Sequence, residues 1–508
     1  MPAKLPYLSQ VASAARKYMV AFRGLNLGEG YQDGDLLDCE NVSTEKFPCL
    51  TQRAARTLVE QYESPTTLHA KEGLLVIDGT RVLYEGNEVG EVTEGRKQTV
   101  TIGNYIVIFP DKVYYDVANG TFASMEARVS ATGLVFTDGT ITTDGEDWPF
   151  REGDAVEISG CETAPENNKT PIIRGVNGKT LTFYANTLTA CTEAGEVTIT
   201  RKVPDLDFIC ECNYRLWGTK GNTIYGSKYA DPLNFSVFDG LTGDSYYIDV
   251  ASDGEFTACI PYSSHICFFK ENTLHKLYGS KPSNFQLVTS QVYGVQAGSE
   301  RSLRIVNEQL LYKGVNGVYA YTGGVPELIS EAFSTKRFSE AAAACDGERY
   351  YISMRHGEEW GLYVYDVLRG IWLREDDTHA VDLAFHEGRV YILDGAGALY
   401  RVDPEADRGD TGWSVTFCPF NETINERKGY SKFHLRVDLS AGAWISVEMR
   451  TDQDQKWNRI YVGFNERAKT ISIPIIPTRC DAVTIRVSGR GACLLKTFVR
   501  EFTTGSDV

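Results

Sequence analysis

The sequence predicts an all-β chain organised around a β-propeller of six to eight blades, with an inserted small β-barrel domain and a C-terminal β-sandwich. Three observations carry this. A two-strand phrase recurs about every 30 to 50 residues, an apolar run and then a Gly/Asn/Asp turn leading into a run that holds an aromatic. Helical periodicity is nearly absent between these phrases. The composition, with 28 Tyr, 23 Phe and 47 Gly in 508 residues, favours strands and turns.

Seven copies of the phrase stand in the chain, beginning at Gly73, Asn104, Tyr214, Ser264, Asn307, Gly347 and Glu387. The last five starts are spaced 50, 43, 40 and 40 residues apart, which suits four-stranded blades. Their turns carry the right chemistry: Asp78-Gly79 offers the positive φ that a tight hairpin needs.

Taken in order, residues 1–68 read as an N-terminal arm and first strands, rich in turn formers, that wraps or pairs with other strands. A short helix over about Leu8 to Met19 opens it. Residues 69–126 are the first propeller blades. At 127 the rhythm stops, and 127–202 read as an inserted small β domain projecting from one face of the repeat body. The repeats resume over 203–410, the remaining propeller blades, where Phe333 to Ala344 is the one stretch with helical character. Residues 411–508 lack the phrase. Their alternation, as in Ala443, Ile445, Val447 and Met449, turns one apolar face inward, as a C-terminal β-sandwich requires.

Charge and targeting features narrow the function. With 42% hydrophobic and 23% charged residues the chain is globular. A formal net charge of −17 opposes any partner held by attraction to phosphates. No apolar run is long enough to span a bilayer, and Arg16 and Lys17 interrupt what would be a signal-peptide core. The 12 cysteines are scattered singly (Cys39, Cys161, Cys259, Cys267, Cys345, Cys418, Cys480 and Cys493 among them), which suits synthesis in a reducing cytoplasm without secretion. The sequons at Asn41, Asn119, Asn168, Asn234 and Asn421 then carry no weight.

Catalytic chemistry is sparse. Ser252 opens SDGEFT, whose spacing differs from a sialidase box, and among seven histidines His265, His356 and His386 read as structural. Asp138, Asp144, Glu146 and Asp147 lack the spacing of a calcium loop. Cys210 and Cys212 form C-x-C without a second pair or a histidine at zinc-finger spacing, and read as one face of a buried strand. His356, Glu358 and Glu359 read as a polar hairpin turn, and GLNLGEG from Gly24 lacks the strand-to-helix context of a phosphate loop. Tyr319, Tyr321, Tyr350, Tyr351, Tyr363, Tyr365 and Tyr400 sit at repeat-locked positions, where they pack sheet on sheet. Trp217, Trp360, Trp372, Trp413, Trp444 and Trp457 are dispersed, and an exposed subset of the aromatics would suit a sugar. The expectation is no enzyme, with no catalytic, cofactor-binding or metal residues and no cofactor.

Several phrases and their order resemble one family. They are FRGLNLGEG…DGDLLDCENV…FPCLTQR, RLWGTKGNTIYGSKYADPLNF, FFKENTLHKLYGS, LLYKGVNGVYAYTGGVPELIS and DAVTIRVSGRGACLLKTFVREFTTGS. Together they resemble the bacteriophage tail nozzle family, also called packaged-DNA stabilisation or tail tubular B-type proteins; the insert at 127–202 departs from its pattern. The resemblance implies a structural virion protein of the phage tail, made in the host cytoplasm. It implies a homo-oligomeric ring, usually a hexamer, joined to head-to-tail adaptor or portal-associated proteins and to tail fibres. The ring would form a DNA conduit that retains packaged DNA and contributes to genome ejection, with DNA passing through without tight binding. The alternative is a tail or baseplate component that binds host-surface polysaccharide through the propeller or the insert.

Overall fold

A computed structural model describes residues 13–406, 408, 411–452, 454–464 and 469–504. It is all-β, with only single turns of 3₁₀ helix among the described residues. The chain divides into two compact units, Tyr62–Leu303 and Met1–Gln61 with Arg304–Val508.

The unit Tyr62–Leu303 holds four four-stranded antiparallel sheets, each a meander in chain order. The first runs through Pro65–Lys71, Gly73–Asp78, Arg81–Tyr84 and Asn87–Glu91, and the second through Gln98–Ile102, Tyr105–Phe109, Val113–Asp116 and Thr121–Ser124. The third is Phe208–Cys212, Arg215–Lys220, Thr223–Gly226 and Tyr246–Asp249. The fourth is Ala258–Tyr262, His265–Lys270, Thr273–Tyr278 and Gln286–Gln291. The recurring phrase is the central hairpin of each sheet, its second and third strands. A second strand such as His265–Lys270 is buried along its whole length. Covered on both faces, it reads as a continuous apolar run rather than an alternation.

Between the second and third sheets lies a region with its own core. Ala127–Ala131 and Glu157–Ser159 flank Val197–Arg201 in a three-stranded sheet, and a five-stranded sheet is assembled from strands between Leu134 and Glu193. Leu134, Phe136, Ile141, Phe150, Val156, Leu181, Val197 and Ile199 form the core. The first and last strands pair antiparallel, Ala127 opposite Arg201, so the chain leaves and returns at neighbouring points.

The other unit holds three four-stranded sheets. One is Arg304–Val306, Gln309–Gly314, Gly317–Tyr321 and Glu327–Leu328; the next is Ser339–Cys345, Arg349–His356, Glu359–Asp366 and Ile371–Asp376. The third takes Ala380–His386, Arg389–Asp394 and Ala398–Asp403 from the chain in order, and its fourth strand, Ala55–Gln61, from far upstream.

Strands from within 13–52 and 412–504 build the rest of this unit. In one six-stranded sheet, Cys493–Thr504 pairs with Ser13–Met19, Lys428–Leu439 and Leu50–Gln52. In the other, Asp35–Glu40 pairs with Gly412–Phe417, followed by Val483–Arg490, Trp444–Thr451 and the edge strand Asn458–Phe464. The sheets share one apolar core, in which Phe417 stacks on Phe498 at 5.6 Å. Pro474 falls within Lys469–Cys480, tolerable because that strand is an edge and pairs only with Lys428–Leu439.

Two helical expectations fail. Ser13–Met19 is a strand, in register from Ser13 opposite Thr504 to Met19 opposite Phe498, so tertiary pairing overrides local propensity; residues 8–12 lie outside the described residues. Phe333 to Ala344 resolves into a 3₁₀ turn, Glu331–Phe333, and the strand Ser339–Cys345, whose alanines are buried between neighbours.

Candidate functional site

Most of the residues singled out in the sequence take structural places. His265 is buried, its ring 4.8 Å from that of Tyr278, and burial with the nearby Lys276 charge lowers its pKa. His356 Nδ1 meets the Arg337 carbonyl at 2.8 Å, while Glu358 pairs with Arg355 at 3.1 Å, so no common site forms. His386 lies beside Tyr391. Asp138, Asp144, Glu146 and Asp147 are exposed, and no group of three His, Cys, Asp or Glu able to hold a metal occurs among the described residues. Cys210 is buried and faces Cys259 of the next sheet; burial, then that neighbouring thiol, pushes its pKa well up. Gly24 sits at φ +84° where a Cβ would meet the Trp372 carbonyl oxygen at 2.5 Å, so this glycine answers to packing. Tyr319, Tyr321, Tyr350, Tyr351, Tyr363 and Tyr365 are buried, as are Trp217, Trp372 and Trp413. Tyr400, Trp360, Trp444 and Trp457 are half-buried.

Ser252 acquires a partner that its spacing did not reveal. Its Oγ lies 2.8 Å from His275 Nε2, and His275 Nδ1 lies 2.8 Å from Thr289 Oγ1. The group edges an open cleft of about 700 Å³ that Asp253, Glu255 and Lys270 also line. The buried Lys270 ammonium donates to the Ser252 carbonyl and to Asn222 Oδ1, both at 2.7 Å. Burial, then the Lys270 charge, lowers the His275 pKa to about 4. An imidazole this reluctant to protonate is a poor base, and the third member is a hydroxyl rather than a carboxylate that would steady an imidazolium. The chain Ser252–His275–Thr289 therefore ties a loop to a sheet.

A second polar cluster fixes the inserted region to the loop that follows Thr223–Gly226. Arg201 Nη1 meets Asp154 Oδ2 at 2.6 Å, and its other nitrogens reach the Met125 carbonyl. Asn234 donates to Asp154 Oδ1 at 2.9 Å and to Asp231 Oδ2 at 2.6 Å, while its own Oδ1 accepts the Ala155 N–H at 3.1 Å. Arg201, Asp154 and Asn234 are all buried. Each charge is answered, as buried charges must be. Asp231 and Asn234 belong to the phrase YADPLNF, whose polar residues thus serve an anchorage.

That anchorage frames a cleft of about 450 Å³, lined by Thr170, Tyr184 and Thr187 of the inserted region and by Ser236, Phe238 and Asp239 of the loop. Tyr184 is 57% exposed and Phe238 54%. Arg174 lies 3.6 Å from the Tyr184 ring centroid and donates to Asp239 Oδ2 at 3.0 Å. Phe238 meets Tyr247 edge-on at 5.7 Å. Sequence reading missed these aromatics because they fall outside the repeat-locked positions.

Comparison with family models and with curated proteins finds no match. Among solved structures, BamB from Moraxella catarrhalis is similar at 10% identity and TM-score 0.35, over 69% of this chain and 97% of its own. BBS1N, in complex with ARL6DN, is similar at 11% identity and TM-score 0.33, over 70% and 98%. The N-terminal domain of Nup159 is similar at 8% and TM-score 0.25, over 75% and 98%. All three are β-propellers and none is a tail nozzle protein.

Proposed function

We propose that this chain is a non-catalytic structural subunit of a bacteriophage tail, a nozzle protein that assembles with copies of itself into a ring through which DNA passes. Its seven four-stranded sheets are read as propeller blades, the region 127–202 as a small inserted barrel, and the two six-stranded sheets as a sandwich. The observation that carries the reading is the joining of the first described strand to the last. Ser13–Met19 lies antiparallel to Cys493–Thr504 over seven residue pairs. Arg500, fully buried, bonds Glu422 at 2.6 and 3.0 Å and Asp33 at 2.9 Å. Asp33 and Arg500 come from the first and last of the phrases that resemble the nozzle family. A subunit under the pressure of a packaged genome needs a body that does not peel apart, and the pairing of 13–19 with 493–504 ties segments distant in sequence through a ladder of hydrogen bonds.

Charge supports the same reading. Each Lys or Arg contact to a phosphate adds counterion-release affinity and would brake sliding DNA, and a net charge of −17 is compatible with a wall that does not grip the duplex. Electron microscopy of the purified protein and of phage particles tests the proposal. Rings with a central channel, and the same density in tails, are expected; monomers alone, with no tail density, would refute it.

A further inference from the structure

We infer that the cleft between the inserted region and the loop at 236–239 is a carbohydrate-binding site, taking a pyranose residue of a neutral polysaccharide. The inference does not depend on ring assembly. A pyranose presents an apolar C–H face and a rim of hydroxyls, so it needs an aromatic plate beside hydrogen-bonding groups. Tyr184 and Phe238 supply two plates, and Thr170, Thr187, Ser236 and Asp239 stand around them.

Both plates are more than half exposed yet braced. Arg174 covers one face of Tyr184 and is itself held by Asp239, and Tyr247 supports Phe238 edge-on. Bracing lowers the ordering cost on binding, and an exposed aromatic braced in this way contributes little to the fold's own core. The wall behind them does not yield either, since Arg201, Asp154 and Asn234 lock the inserted region to the loop. The Asp239 carboxylate engages Arg174 through Oδ2 and has lone pairs for sugar hydroxyls as well.

A nucleic acid could also stack on aromatics, but it needs cations for its phosphates. No Lys or Arg is among the lining residues; of the cations beside the cleft, Arg174 is paired with Asp239 and Lys169 is held by the Thr187 carbonyl. Charge thus favours an uncharged sugar.

The test uses the full chain on an array of capsular, O-antigen and neutral oligosaccharides, followed by titration of the glycans bound and of a single-stranded oligonucleotide. At least one glycan is expected to bind. Tyr184→Ala or Phe238→Ala should weaken it by about tenfold each, as the loss of one aromatic contact predicts. Tyr184→Phe should retain binding, and Phe385→Ala, at an exposed aromatic of the other unit, should not alter it. Thermal melting checks that each variant is folded. Binding of no glycan, glycan binding untouched by both alanine variants, or an oligonucleotide bound in preference would each overturn the inference.

Discussion

The two units treat their aromatic residues differently. In the unit that contains both chain ends, Tyr312, Tyr321, Tyr350 and Tyr430 are fully buried or nearly so, and Phe417, Phe420, Phe433 and Phe498 form one stacked group. Its exposed aromatics, Tyr18, Phe47, Phe385 and Phe464, are scattered through the sequence. In the unit Tyr62–Leu303, Trp217 and Phe268 are buried in the same manner, but Tyr184, Tyr214, Tyr229, Phe238, Tyr247 and Tyr293 are exposed, all but the last between residues 184 and 247. Tyr214 and Tyr229 touch edge-on at 5.8 Å, and Phe238 and Tyr247 do so at 5.7 Å. One unit spends its aromatics on cohesion, while the other also leaves two edge-on pairs exposed, Tyr214 with Tyr229 and Phe238 with Tyr247.

The largest effect expected is on cohesion. Arg500→Ala removes the closest cation of the buried Glu422 carboxylate, leaving it Lys17 at 3.6 Å and the Tyr430 hydroxyl, and should destabilise its unit by about 3 kcal/mol in urea titration; a loss below about 1 kcal/mol would mean that this pair does not hold Cys493–Thr504 in place. Asn234→Ala removes partners of Asp154 and of the Ala155 N–H, and should cost about 1–3 kcal/mol, with faster hydrogen exchange in the inserted region. Unchanged exchange there would break the link between that network and a rigid cleft.

Acid should weaken the unit Tyr62–Leu303 in two steps. His275 has a folded pKa lowered from 6.5 to about 4, so between those values the unfolded chain takes up a proton that the folded one refuses, and stability falls as pH drops. Glu193 is enclosed in the inserted region. Its burial raises the pKa, but backbone N–H donors from Thr163, Ala164 and Glu162 outweigh this and bring it from 4.5 down to about 2. Its contribution, complete above pH 4.5, is lost as pH falls towards 2. His275→Gln should flatten the upper step in pH-dependent melting and leave the lower one; loss of both together would show that the two groups do not act separately. The smallest effect belongs to the surface aromatics. Tyr184→Ala should change stability by no more than about 0.5 kcal/mol, and a larger loss would make this ring part of the core.

How far the sequence spoke depended on how local each feature is. The central hairpins were legible because a strand covered on both faces, such as Tyr105–Phe109, is apolar from end to end and a turn such as Asp78-Gly79 follows it. The rhythm stops at 127, where the strand Ala127–Ala131 begins. Ala55–Gln61 gave no sign of completing a sheet with Ala398–Asp403, because register across more than 300 residues leaves no local pattern. Ser13–Met19 carried a misleading one, since its partner Cys493–Thr504 is what makes it a strand. The cleft was hidden for a related reason: Tyr184 and Phe238 lie in segments distant in sequence that tertiary contacts such as the Arg201–Asp154–Asn234 network and the Arg174–Asp239 pair bring together.

The proposed role is that of a scaffold that assembles with copies of itself into a ring. Electron microscopy of the purified full chain, imaged beside Arg500→Ala, tests it most directly. The account predicts closed rings with an open channel for the unaltered protein, and their loss or fragmentation for the variant. Isolated monomers at every concentration, with no matching density in phage tails, would contradict it.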